Sequence, residues 1–377
     1  MASSNSIIQS SRQRLIQILM QNSMLDLEDY RNEQLMLRSM HEGVDGLLLP
    51  MLESNKTPDI HVEVRDAYRL RLRERQAGYL RTRHVCSQVL AALNEENIPV
   101  ICMRGLAVSE RLYGDSAYLR PQSDIDLLFH TAQMMDAKQV LWDIGFRPDH
   151  AYRNIFVRGD ISLDLHDEPL GIGRIQAWEH LTPLRAPDFF ADAEHGNLAD
   201  EEALLISTKI ELPYLCFHAM KHSFERLIWL YDIALLAKKI DADDAWDEVL
   251  LGIQKYALKR PCFYALSYVQ KHLQAPVPDE ILDAVRPNMG FVERRLFKRF
   301  MQHEIIPFLA ERLFARMMPS FTHRLEFWRE TIYPRYEVRQ QMANGGCVKC
   351  SFIRTRLKQV FKASLGFMRE GWLLLRG

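Results

Sequence analysis

Residues 119–130 read LRPQSDIDLLFH. Two aspartates, Asp124 and Asp126, stand one residue apart inside an otherwise apolar run. Alternate side chains of a strand share a face, so both carboxylates are expected to point one way while Ile125 and Leu127 pack on the other. Two like charges that close raise at least one pKa unless a cation intervenes. Magnesium, a hard ion that prefers oxygen, suits such a pair. The competing reading is a water-facing strand edge whose charges discourage pairing with other chains, and a D-x-D triplet alone favours it.

The flanking sequence shifts the balance. IPVICMRG (98–105) is a short β-type run ending at Gly105, and LAVSERLYG (106–114) is helical up to Gly114. Backbone N–H groups at such a helix start bind phosphate, and glycine lets the phosphate come close. TAQMMDAKQVLWDIG (131–145) reads as a helix capped by Thr131 and stopped by Gly145. YRNIFVRGDISLDLH (152–166) reads as two strands around an Arg-Gly-Asp turn. In ISLDLH, Ile161, Leu163 and Leu165 alternate with Ser162, Asp164 and His166, so Asp164 is again polar in an apolar strand. If this strand lies beside 124–129, three aspartates converge. Three carboxylates suit two magnesium ions and in-line phosphoryl transfer.

A Gly turn, a D-x-D strand and a third acid on a later strand resemble the DNA-polymerase-beta-like nucleotidyltransferase superfamily. The closer resemblance, over roughly 15–300, is to its uncharacterised nucleotidyltransferase family. The matching residues are Arg104-Gly105-Leu106-Ala107, Arg120, DIDLL, Asp164-Leu165-His166 and HAMKHSFERLIWLYD. The resemblance implies that Asp124, Asp126 and Asp164 bind metal and that Asp164 can serve as base. It also implies that Gly105 cradles a triphosphate neutralised by Arg104 or Arg120. Two residues depart from the pattern: Arg104 stands where the family has lysine, and Leu106 stands where the superfamily has a second Gly or Ser.

From about 200 onward the texture is helical. Residues 211–240 read as one strong helix with Pro213 in its first turn and His218, His222, Trp229 and Asp232 along one stripe, Arg226 close by. Three readings of that stripe stay open: a buried polar network, a zinc site, and the back wall of an active cleft in which His218 or His222 contacts phosphate or acceptor. The zinc reading lacks the Glu of H-E-x-x-H and a third ligand. Residues 60–97 read as one long helix with seven arginines between Arg65 and Arg83, either a solvated face or a track for an anionic substrate.

Global features set the bounds. The chain has 377 residues, with 48 Lys+Arg against 49 Asp+Glu, so electrostatic function must be local. Six cysteines, scattered in apolar contexts apart from Cys347 and Cys350, fit a reducing compartment. With no signal-type segment and no long apolar run, the expected location is cytoplasmic and no transmembrane segment is expected.

The expected fold class is α+β: a small mixed-sheet nucleotidyltransferase core at 86–175, flanked by an N-terminal helical region (1–85) and a C-terminal helical domain (200–340), with a basic aromatic tail at 341–377. The expected activity is magnesium-dependent transfer of a nucleoside monophosphate from a nucleoside triphosphate (NTP), releasing pyrophosphate. The acceptor stays open among a small molecule, a sugar, a peptide and an RNA. The alternatives are an inactive binding or regulatory protein on the same core, and an RNA-directed, toxin-like nucleotidyltransferase.

Overall fold

The structure is a computed structural model and describes residues 4–21, 33–48, 62–150, 154–171 and 175–333. Cys347, Cys350 and the basic tail lie outside the described residues. Seven strands form one mixed sheet: β1 (Ile101–Cys102), β2 (Ile125–Leu128), β3 (Arg147–Pro148), β4 (Ile155–Arg158), β5 (Ile161–His166), β6 (Glu194–Leu198) and β7 (Glu201–Leu205), in the order β3-β4-β5-β2-β1-β7-β6. With the surrounding helices this makes the chain α+β, as expected.

Period-two alternation sorts the sheet's two faces. Cys102, Ile125, Leu127, Leu163 and Leu165 pack with Cys86, Val89, Leu90 and Leu93 of the Val62–Glu95 helix. Ile101, Met103 and Leu128 turn the other way, into the core made with the C-terminal helices. Asp126 shares this second face by strand parity, and so do Asp164 and His166. The strand that carries the aspartates therefore lies inside the sheet, between β5 and β1, not at a wet edge.

Four local expectations change. The 211–240 helix is two helices, Thr208–Lys221 and Leu227–Ala242, broken where Ser223 and Phe224 take positive φ. Phe224 is fully buried at the break, which anchors the turn. The first helix starts three residues earlier than expected, so Pro213 lies inside it instead of in its first turn. Residues 131–133 form a 3-10 turn ahead of the Met134–Asp143 helix, and Thr131 makes no cap. Strands β6 and β7, joined by a turn with positive φ at Ala199 and Asp200, extend the sheet beyond 86–175 and into the stretch read as helical from about 200 onward.

The arginine stripe is largely bound in ion pairs. Arg71 and Arg75 meet Asp45, Arg81 meets Asp160, and Arg83 forks onto Asp200 while also reaching Glu110. Among the described residues no helix is long and apolar enough to cross a membrane.

Candidate active site

Parallel pairing of β2 with β5 sets Asp126 directly opposite Asp164, and Leu128 opposite His166. The aspartates face the C-terminal helices because their apolar neighbours are claimed by the long helix on the other side. The ligand atoms of Asp126, Asp164 and His166 lie within 4.8 Å of one another. Asp124 sits just before β2, and its Oδ1 accepts a hydrogen bond from Ser123 Oγ at 2.6 Å.

Asp126 is almost fully buried. Both its oxygens accept from the Arg104 guanidinium, Nε to Oδ2 at 3.1 Å and Nη2 to Oδ1. His166 Nε2 lies 2.9 Å from Asp126 Oδ1 and 3.3 Å from Asp164 Oδ2. A carboxylate oxygen only accepts, so Nε2 carries the proton. Burial alone would raise the Asp126 pKa, but Arg104 and His166 hold it below the usual carboxylate range. Burial would likewise lower His166, and its hydrogen bonds to the two aspartates raise it instead. Asp124 is pushed up, first by burial and then by the neighbouring Asp126 charge.

The opposite wall comes from the two helices that replace the expected one. Arg104 Nη1 donates to His218 Nδ1 at 2.6 Å, so that nitrogen is unprotonated. Burial and the Arg104 charge hold His218 well below its ordinary pKa, and burial with Lys221 pushes His222 down to about 4. Both rings pack on Trp229, with centroids 5.3 and 5.0 Å away. Arg120 is buried and spends its fork on Asp232, at 2.8 to 3.1 Å, while Tyr113 donates to the same carboxylate at 2.7 Å. Arg120 also donates to the Gly105 carbonyl at 3.3 Å.

Gly105 takes φ 54°, ψ −110° at the start of the Leu106–Tyr113 helix, and a Cβ there would lie 3.1 Å from the Asp124 carbonyl. Only glycine fits that approach cheaply. Leu106 is buried in the long-helix core.

All eight nominated residues, Arg104, Gly105, Arg120, Asp124, Asp126, Asp164, His218 and His222, line one cleft of about 400 Å³. His166, Lys221, Arg226, Trp229 and Asp232 line it too. His166 belongs to the Asp164-Leu165-His166 motif, and its alternation with Asp164 is the signal that puts it on the same face. Among the described residues no ligand cluster includes His218 or His222, which leaves the zinc reading without support. Of the other two readings, His218 is bonded to Arg104 and Asp232 to Arg120 and Tyr113, while both histidines line the cleft.

The mixed sheet thus brings Asp126 and Asp164 into one cleft with the Gly105 turn. Residues 31–274, well over half of the chain, match the family described as uncharacterised nucleotidyltransferase, and the chain belongs to that family. It is also similar to the crystal structure of ANT(2″)-Ia in complex with adenylyl-2″-tobramycin, at 18% identity over 46% of this chain and 97% of the other, with a TM-score of 0.32. The solution structure of the antibiotic-resistance factor ANT(2″)-Ia gives 18% identity, 50% and 97% coverage, and the same TM-score of 0.32. Likeness that distant says nothing of this chain's substrate. No curated protein matches the sequence.

Proposed function

We propose that the cleft transfers a nucleoside monophosphate from a nucleoside triphosphate to a hydroxyl-bearing acceptor and releases pyrophosphate. The observation that carries this reading is the register of β2 against β5, which puts Asp126 beside Asp164. The donor set suits a divalent ion such as magnesium: Asp126 and Asp164 lie close together with His166, and Asp124 lines the same cleft outside that cluster. When bound, magnesium supplies positive charge for the attacking and leaving oxygens of an in-line displacement.

The chain's own residues divide the remaining work. Asp124, Asp126 and Asp164 would hold the metal. Asp164, whose side chain is about one-third exposed, is the carboxylate best placed to take the acceptor's hydroxyl proton. The acceptor oxygen then bonds to the α-phosphorus, the bond to the bridging oxygen breaks, and pyrophosphate leaves with the electron pair. Gly105 gives the phosphates close backbone approach. Arg104 neutralises Asp126 and lies near the phosphate path. Arg120, locked to Asp232, braces the glycine turn against the Leu227–Ala242 helix. His218 and His222, neutral near pH 7, offer hydrogen bonds without charge. On this reading the 86–175 core supplies the carboxylates and the 200–340 helical unit supplies the facing wall.

The test is incubation with each of four α-labelled nucleoside triphosphates, magnesium and a cell extract. Labelled product with matching pyrophosphate, absent in Asp126→Asn, is expected. Neither label nor pyrophosphate with any nucleotide contradicts the reading.

A further inference from the structure

The two arginines nominated to neutralise a triphosphate are already engaged: Arg104 on Asp126 and Arg120 on Asp232. Arg226 lines the same cleft and, among the described residues, has no ion pair. It is half-buried at the N-cap of the Leu227–Ala242 helix. Among the described residues no carboxylate reaches it at ion-pair distance, and its buried Nε has no hydrogen-bond partner.

The acids around it are taken. Glu42 pairs with Arg38 and accepts from the Leu227 backbone N–H. Asp45 pairs with Arg75 and Arg71, and Asp232 with Arg120. Yet the Arg226 guanidinium is held in place. It lies over the Trp229 ring, 5.6 Å from the centroid. Its Nη2 packs on Gly43, where a Cβ would come within 2.6 Å and where φ is +73°. Burying a cation without a counter-ion is unfavourable unless something compensates. Lys221, the other cation of this wall, is tied to the Leu170 carbonyl at 3.1 Å and cannot swing in to replace Arg226 without losing that bond.

We propose that Arg226 is an anion anchor that takes a phosphate group across the cleft from the aspartates. The guanidinium fork matches phosphate oxygens two at a time, and the ring beneath it restricts its orientation. Two sources share this chemistry: the terminal phosphates of the donor nucleotide and a phosphate carried by the acceptor. The first rests on the nucleotidyl-transfer reading.

The experiment is titration calorimetry with inorganic pyrophosphate, inorganic phosphate, adenosine monophosphate and adenosine triphosphate, each with magnesium, on the full chain and on Arg226→Gln. Losing a charge-assisted fork is expected to weaken pyrophosphate and triphosphate by roughly ten- to a hundredfold, with the monophosphate unchanged. Weakening confined to inorganic phosphate added to nucleotide-loaded protein assigns the anchor to the acceptor. Equal affinities of the two proteins for every probe overturn the proposal, as does failure of the unaltered chain to bind any of them. Failure of the transfer reading looks different: no triphosphate binding, with pyrophosphate binding that still depends on Arg226. Should Arg226→Gln melt early, Arg226→Lys carries the same comparison, because it keeps the charge and loses the fork. It should weaken pyrophosphate several-fold, and unchanged affinity overturns the proposal.

Discussion

Asp126 and Asp164 are register partners on adjacent parallel strands, but only Asp126 is buried against an arginine. The two should therefore differ in what they do for stability. Asp126→Asn removes the charge that Arg104 forks onto and is expected to cost on the order of 2–3 kcal/mol, the range for hydrogen bonds to charged groups. Asp164→Asn touches a part-exposed carboxylate and should stay within about 1 kcal/mol. Chemical denaturation of both variants checks the order, and equal losses would contradict it.

The Arg120–Asp232 pair ties the sheet to the C-terminal helices. Arg120→Met leaves Asp232 buried with only the Tyr113 hydroxyl and is expected to cost about 3–5 kcal/mol. Adding Asp232→Leu should recover part of that loss, so a double-mutant cycle should show coupling of roughly 1–3 kcal/mol. Nucleotide affinity should not recover, because the donor to the Gly105 carbonyl is still gone. Additive stability losses would argue against the brace.

Gly105→Ala tests the turn. The added Cβ meets the Asp124 carbonyl at 3.1 Å in a backbone region that favours glycine. The expected cost is about 1–3 kcal/mol, together with weaker triphosphate binding, both readable from melting curves with and without nucleotide. An unperturbed melt and unchanged binding would mean that the turn is looser than it looks.

How far this site was legible depends on the residue. Asp124, Asp126 and Asp164 could be found because strand alternation is strict and a carboxylate among Ile and Leu stands out. The break at 222–226 was hidden: His218, His222, Trp229 and Asp232 keep helical spacing across it, and positive φ at Ser223 and Phe224 carries no glycine to mark it. Strands β6 and β7 were missed for a similar reason. EHGNL and EEALL are acidic and short, and the turn between them places Ala199 at φ 53°. What holds them is pairing of β7 along β1, a contact between residues about a hundred positions apart, which local pattern does not report. Arg226 was visible only as a neighbour of the stripe, since its lack of a counter-ion is a property of the packed molecule.

His303 should give the fold a measurable acid sensitivity away from the cleft. Its ring is buried, its Nδ1 lies 2.8 Å from the Tyr268 hydroxyl oxygen, and burial, with His272, Arg12 and Lys271, pushes its pKa down to about 3. Between about pH 6.5 and pH 3 the unfolded chain binds a proton that the folded chain refuses, so stability rises with pH across that window. Its share is complete above pH 6.5 and falls by up to about 1.4 kcal/mol per unit below it. His303→Gln should flatten the lower part of the stability–pH curve relative to the unaltered chain. Parallel curves would assign the acid sensitivity elsewhere.

Triphosphate binding followed by calorimetry, with and without magnesium, in the unaltered chain and in Asp164→Asn, reaches the account most directly. Binding that requires magnesium and loses that requirement, along with most of its affinity, in Asp164→Asn is the predicted result. Equal affinity with and without the ion, or an Asp164→Asn protein indistinguishable from its parent, would contradict it.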